Sequence, residues 1–583
     1  MLRKKNIIPS AKNKFIILGT SLLSIQGYAH TTTHNNPPSS NAGVLDRTIE
    51  KEYDAKPLPP KREIPFIEID IPHEQLKLGG LHSVYVERIE VVGDPALSSR
   101  KLDRVLANYE NTELTMSDIS ELCAKIRAYY VEQGYILARA YPPVQDIRNR
   151  TLIIEVLEGK VGKITVSGNK HYTEQFILSY FNKYIEKPLN YDDFLRSLML
   201  INENTDLSVG AVFEKGSKPG RADVILKVKD SRPVHAYFNT NDYGVRFNTS
   251  QRTGLRIDYG NCLLEGATLS VAEVVGSPVK SLTFTDLRYN FPISRSGWSG
   301  ELSYMYTRAK SRRNFEDFHR LRIRSTSQIA GGKVAYAIVR NRGISSDIYG
   351  TLEYKNVKDF VLEQTTADDR LRVASLGMDF GFGDGWRGNN FIDLVYHQGI
   401  PNIMDGSAPI DDDCSRKGAG GTFSIINLDF RRMQEFLKDF FWILNFSGQF
   451  SFNKLPVPEQ FYIGGMDTVR GYPLAAALGD SGYYANFELR IPPPGKNVKI
   501  FGSKHRRLKD YLQFVAFVDN GLVMLKSDEF PLHKGYTSMT SAGLGVRIYG
   551  PWHLDASFDF GFPLNDSHKQ HNYHWYWKIN WSI

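Results

Sequence analysis

Apolar positions along this chain fall into three patterns. Residues 15–25 form one short continuous apolar run. Residues 84–231 mix short alternating stretches with helical spacing, and from about residue 233 strict alternation dominates. The C-terminus is the clearest case. Tyr573, Trp575, Trp577, Ile579, Trp581 and Ile583 share one face, while Asn572, His574, Tyr576, Lys578, Asn580 and Ser582 share the other. Trp552, Leu554, Ala556, Phe558, Phe560 and Phe562 repeat the pattern opposite His553, Asp555, Ser557 and Asp559. Similar runs occur at 255–259, 282–287, 302–306, 441–452, 483–491 and 512–518. Period two is the signature of a strand whose faces meet different media. Six apolar side chains opposite a Lys describe a strand between lipid and a wet lumen. A soluble sandwich with one wet face also alternates, but it would have to cover three Trp on its terminal strand.

The middle of the chain predicts two small α+β modules. A strand at 85–93 ends at Gly93; helices follow at 99–109 and from Thr115 to Gly134, where Thr or Ser can cap the second. Strands follow at 136–141 and 151–158. The order strand, helix, helix, strand, strand recurs with a strand at 162–168, helices at 174–185 and 191–204, and strands at 209–214 and 221–228. Two such copies make an internal repeat. Upstream, residues 41–56 predict one lone helix, marginal in water without a docking place. Pro57, Pro59, Pro60, Pro65 and Pro72 mark residues 57–83 as an extended, semi-rigid linker.

Composition sharpens the break near residue 232. Residues 1–232 hold 18 aromatics and no Trp, whereas 233–583 hold 53, with all seven Trp and 35 of the 48 Gly. Aromatic girdles and Gly-rich turns are what a membrane barrel requires. A spanning strand takes ~9–11 residues, so sixteen strands consume about 160 and leave about 190 for turns and loops. Fourteen or eighteen would also fit. Mean hydropathy is −0.34 and no run of 18 apolar residues exists, which excludes a bundle of membrane helices. The net charge of +8 shrinks to +3 once Arg3, Lys4, Lys5, Lys12 and Lys14 are set aside, leaving no footprint for nucleic acid. Those basic residues, the short apolar run and the small residues Gly27 and Ala29 form the anatomy of a secretory signal peptide over 1–29.

Candidate chemistry is sparse. Three scattered cysteines (Cys123, Cys262, Cys414) make no disulfide framework or zinc cluster. His568, His571 and His574, and Asp411 to Asp413, lack a full ligand set, so no metal or other cofactor is expected. No P-loop and no Gly-x-Ser-x-Gly elbow occurs, and no constellation points to an enzyme.

Two motifs remain. Residues 459–472 read EQFYIGGMDTVRGY, and residues 517–521 read FVDNG. In this order, behind a two-module repeat, they resemble the outer-membrane transporters of two-partner secretion, whose loop core is Val/Ile-Arg-Gly-Tyr/Phe and whose strand motif is Phe-x-Asp-x-Gly. Tyr135, Pro143, Gln145, Asp146 and the run from Leu152 to Gly159 resemble the signature of that family's first polypeptide-transport-associated module. The likeness covers residues 41–583. It departs at Ile583, where the family usually ends in an aromatic, at Arg150, where Gly is frequent, and at Val144, which separates Pro143 from Gln145.

The resemblance implies a transmembrane antiparallel β-barrel over 232–583, of sixteen strands, preceded by periplasmic modules at 84–159 and 160–231. It implies a pore that recognises an unfolded partner exoprotein, a large adhesin or haemolysin, and exports it without nucleotide hydrolysis. The alternative is a factor that assembles other outer-membrane barrels. Barrel-assembly machinery for its own insertion and outer-membrane lipid are the further implied partners. It also implies that Arg470 of the loop motif (Val469, Arg470, Gly471, Tyr472) reaches Asp519 of the strand motif (Phe517, Asp519, Gly521) inside the barrel. Gly464, Gly465 and Gly471 would permit the turns such a hairpin needs. The modules would take clients by strand addition at an exposed sheet edge, and the 41–56 helix would plug the resting lumen.

Overall fold

A computed structural model describes residues 41–54, 65–70, 83–93, 100–145, 147, 149–218, 220–245, 248–311, 321–495, 497–498, 507–526, 535–565 and 571–583. The expected leader, residues 55–64 and 71–82 of the helix end and linker, Asp146 and His568 lie outside them.

The first described element is helix α1 (Ala42–Asp54), followed by a four-residue strand β1 (Ile67–Asp70). The first module runs β2 (Ser83–Val86), β3 (Arg88–Gly93), α2 (Arg100–Ala107), β4 (Thr112–Thr115), α3 (Met116–Glu132), β5 (Arg139–Tyr141) and β6 (Thr151–Leu157). Thr115 caps α3 in a reciprocal box: its Oγ1 accepts from the Asp118 N–H, and the Thr115 N–H donates to the Asp118 carboxylate at 2.8 Å. Ile119, Leu122, Cys123 and Ile126 then recur on one buried face against the sheet. The expected single strand at 85–93 is two. It breaks at Glu87, with β2 pairing antiparallel to β4 and β3 pairing parallel to β6. Alternation alone does not report which partner each half finds. The expected strand at 136–141 is reduced to β5, because residues 134–138 turn instead.

The second module runs β7 (Lys160–Ser167), α4 (Glu174–Ser179), α5 (Tyr191–Ile201), β8 (Leu207–Lys215) and β9 (Arg221–Asp230). The expected helix at 174–185 stops at Ser179 and resumes only as a single tight turn at Asn182–Tyr184. The sheet order is β1-β8-β9-β7, so a strand from the Pro-rich linker belongs to it.

From Val234–Asn241 to His574–Ser582, sixteen antiparallel strands close into a barrel, the last pairing with the first from Tyr237↔Ser582 to Asn241↔Lys578. Closure leaves no free sheet edge in the wall. Outward positions carry the apolar set: Trp575 and Trp581 on the last strand with Tyr573 and Ile583 flanking it, and Leu554, Phe558, Phe560 and Phe562 on the one before, are exposed. Inward positions carry Tyr576 and Asp559, both buried. The second module is tied to one mouth of the barrel. Arg196 donates to the Ser296 and Ile338 carbonyls at 3.1 and 3.0 Å, and Arg340 bridges Glu203 of the module and Asp347 of the wall.

Candidate functional site: a tied loop and a helix inside the barrel

The segment between strands Phe440–Ser451 and Ser481–Ile491 is too long for a turn, and it folds into the lumen. Its stem is a hairpin of Phe461–Ile463 with Ala477–Gly479. Its tip needs unusual backbone: Gly464, Gly465 and Gly471 have φ of +102°, +103° and +93°, a region only glycine enters freely. Gly471 also lies against the wall. A Cβ added to Gly561, on strand Leu554–Pro563, would come 2.6 Å from the Gly471 nitrogen. Gly521 makes similar room, since a Cβ there would meet Val469 at 2.9 Å.

At the tip, Arg470 is 2% exposed and Asp519 is 0% exposed. The guanidinium forks onto the carboxylate, Nε to Oδ2 and Nη2 to Oδ1, both at 2.7 Å, and the Arg470 main-chain N–H adds a third bond to Oδ2 at 3.1 Å. The remaining Nη1 donates to Glu488 at 2.6 Å. The Phe517 ring stacks under the guanidinium with its centroid 3.5 Å from Cζ, and Phe517 itself lies in the space left by Gly543. A planar, forked cation matches this arrangement, and a lysine would not.

Sequence reasoning named Arg470 and Asp519 and missed the rest of the charge cluster. Glu488 also receives Arg490 at 2.8 Å, and Arg547 pairs with Asp559 at 2.9 Å. Three cations and three carboxylates therefore lie together on the loop and four consecutive strands. The signal was present in the inward face of each alternating run, but alternation does not give the register that aligns one strand with the next. Alternation likewise marks Tyr576 only as a lumen-facing position. Its hydroxyl accepts from the Gly471 N–H and donates to the Tyr472 carbonyl, both at 3.0 Å, so the terminal strand holds the loop motif. The Tyr472 hydroxyl reaches the Thr540 and Asn565 carbonyls at 3.0 and 3.1 Å. The outward Trp575, Trp577, Ile579 and Trp581 take no part in this cluster.

Helix α1 lies in the same lumen. The Asn41 side chain caps it, accepting from the Gly43 and Val44 N–H groups, and its amide donates to Asp359 at 2.9 Å. The Ala42 N–H donates to Ser325 Oγ at 2.7 Å. Val44, Leu45 and Ile49 pack with wall residues such as Val274, Phe284 and Met305, and with Tyr462, Leu474 and Ala475 of the loop. Glu50 pairs with Arg288, and Lys51 lies over the rings of Tyr462 and Tyr484. Ser325 is at the opposite end of strand Arg324–Arg340 from Arg340, which touches the second module. The helix therefore points its N-terminus away from the modules.

A closed sixteen-stranded barrel with two α+β modules before it, the second tied to one mouth, and with a tied loop and a helix in its lumen, defines a transporter of the outer membrane. The chain belongs to the haemolysin secretion/activation protein ShlB/FhaC/HecB family, whose model matches residues 220–548. Residues 84–159 match the ShlB-type POTRA domain. Over 99% of its length the chain is 19% identical to the heme/hemopexin transporter protein HuxB of Haemophilus influenzae, covering 98% of that protein. It is 24% identical to the outer membrane transporter CdiB of Dickeya dadantii, over 80% of this chain and 81% of that one. The structure of CdiB from Escherichia coli superposes with a TM-score of 0.75 at 19% identity, covering 95% of this chain and 100% of that one. The protein is thus an outer-membrane translocation pore of two-partner secretion for a partner exoprotein, with its modules in the periplasm.

Proposed function

We propose that the pore serves a large adhesin- or haemolysin-type exoprotein, and that it is gated from within by α1 and the loop of residues 452–480. The observation that carries this reading is the double occupancy of the lumen: α1 and the loop pack on each other as well as on the wall. An extended client chain has no room until one of them moves. Arg470 is the anchor that returns the loop to one position after each passage, and α1 is the removable seal. With no P-loop in the sequence, export draws on the client's folding outside, which prevents its return. The leader at 1–29 directs the chain to the periplasm, barrel-assembly machinery inserts it, and the outward aromatic face of the last strand meets lipid.

The test is a tether. The 2.7 Å contact from the Ala42 N–H to Ser325 Oγ keeps the two α-carbons within about 7 Å, the span a disulfide can bridge. In a Cys262→Ser background, Ala42→Cys with Ser325→Cys is expected to stop export when oxidised and restore it on reduction. Undiminished export through the oxidised pore would refute gating by α1.

A further inference from the structure

Along β8 the second module does not present the bare sheet edge that strand addition requires. The edge beside β8 is already taken by β1, which runs parallel to it from Ile67↔Ala211 to Asp70↔Glu214. The Ala211 N–H donates to the Phe66 carbonyl at 3.0 Å, and Ile67 packs on the module's core. The seat has a specific shape. Gly210 is buried within β8, and a Cβ there would lie 2.2 Å from the Phe66 ring, so the missing side chain is a notch for an aromatic. The occupant is built to be weak. It is four residues long and pairs on one side only, and Pro65 and Pro72 bracket it in sequence. Proline has no N–H to donate and confines a strand to edge use.

We propose that β1 is a resident stand-in for the client, and that the β8 edge is the exoprotein's docking strand. Its ligand is an extended segment with an aromatic residue followed by a β-branched one, laid parallel to β8, the aromatic in the Gly210 notch and the β-branched residue on the core. Twelve residues separate β1 from the end of α1, so β1 competes at an effective concentration on the order of mM. A client segment that outcompetes it releases the strand that holds the chain below α1, and so couples recognition to unsealing. The identity of the occupant as client rests on the secretion-pore reading. The exchange of strands does not.

The experiment uses the full chain in detergent micelles and a fluorescent synthetic peptide copying residues 63–72. Ile67→Asp places a carboxylate against the module's core and disables the resident strand, while β8 is untouched. The peptide is expected to bind this variant at least tenfold more tightly than the unaltered protein, and a peptide carrying Phe66→Ala and Ile67→Ala to bind at least tenfold more weakly. Phe66→Ala in the protein is the milder variant, expected to fall between. Equal binding to the unaltered protein and both variants, or binding indifferent to the peptide's two apolar residues, would overturn the proposal. Export is scored separately in cells. Strand exchange without a change in export would leave the edge site standing and remove the client as its occupant.

Discussion

Replacing Arg470 by Ala removes three charge-assisted bonds of 2.6–2.7 Å, two to Asp519 and one to Glu488, along with the stack on Phe517. Glu488 keeps Arg490, but among the described residues Asp519 keeps only a main-chain N–H, and it is fully buried. Removing one partner of such a pair costs about 3–5 kcal/mol because the other charge is left without compensation. At ~1.4 kcal/mol per factor of ten, the loop's seated-to-unseated ratio falls by roughly two to three and a half orders of magnitude. The barrel itself should survive, since Arg470 belongs to no wall strand. The expected phenotype is therefore specific: normal amounts of barrel in the outer membrane, export cut at least tenfold, and a loop newly sensitive to protease. Arg470→Lys keeps the charge without the fork and should recover only part of the export. The double variant Arg470→Ala with Asp519→Ala removes the orphaned charge, so its loss of loop stability should be smaller than the sum of the single losses. Full export by Arg470→Ala at normal barrel levels would refute the reasoning.

Three further outcomes follow from the geometry. Gly561→Val drives a side chain toward the Gly471 nitrogen, and should unseat the loop by about 1–3 kcal/mol with Arg470 and Asp519 intact, measured as protease sensitivity of residues 452–480. Leu45→Ala empties a fully buried site of α1 and should cost about 2–5 kcal/mol of helix docking, measured as a higher open fraction in planar-bilayer conductance. Burial pushes the Cys123 thiol up to about 11, so at pH 8 its thiolate is on the order of 10⁻³ of the total. In a Cys262→Ser background, maleimide labelling of Cys123 should then be negligible until the first module opens, and raising the pH toward 11 should speed it; rapid labelling of Cys123 at pH 8 would contradict the burial of α3.

The architecture was legible in the sequence because a membrane wall imposes a period on every strand. The opposite faces of residues 572–583 are set by lipid and lumen, and no tertiary accident competes with them. The Arg470–Asp519 pair was legible only through resemblance, since neither position stands out by pattern. Its companions Glu488, Arg490, Arg547, Asp559 and Tyr576 were not legible, because they meet through the register of neighbouring strands and alternation is blind to register. The strand Ile67–Asp70 was hidden by the prolines around it. They mark a linker correctly but say nothing about an Ile-Glu-Ile-Asp run finding an open sheet edge in another module. The split of residues 85–93 at Glu87 has the same origin: continuous alternation serves two sheets when the partners lie elsewhere in the chain.

Export of a dedicated partner is the claim on which the rest depends, and comparing the proteomes of cells with and without this gene tests it most directly. Culture fluid, cell surface and outer membrane should be measured together. One or two large surface or secreted proteins are expected to disappear while other outer-membrane barrels stay at their normal levels. Broad depletion of those barrels, with no single exoprotein lost, would contradict it and make the protein an assembly factor.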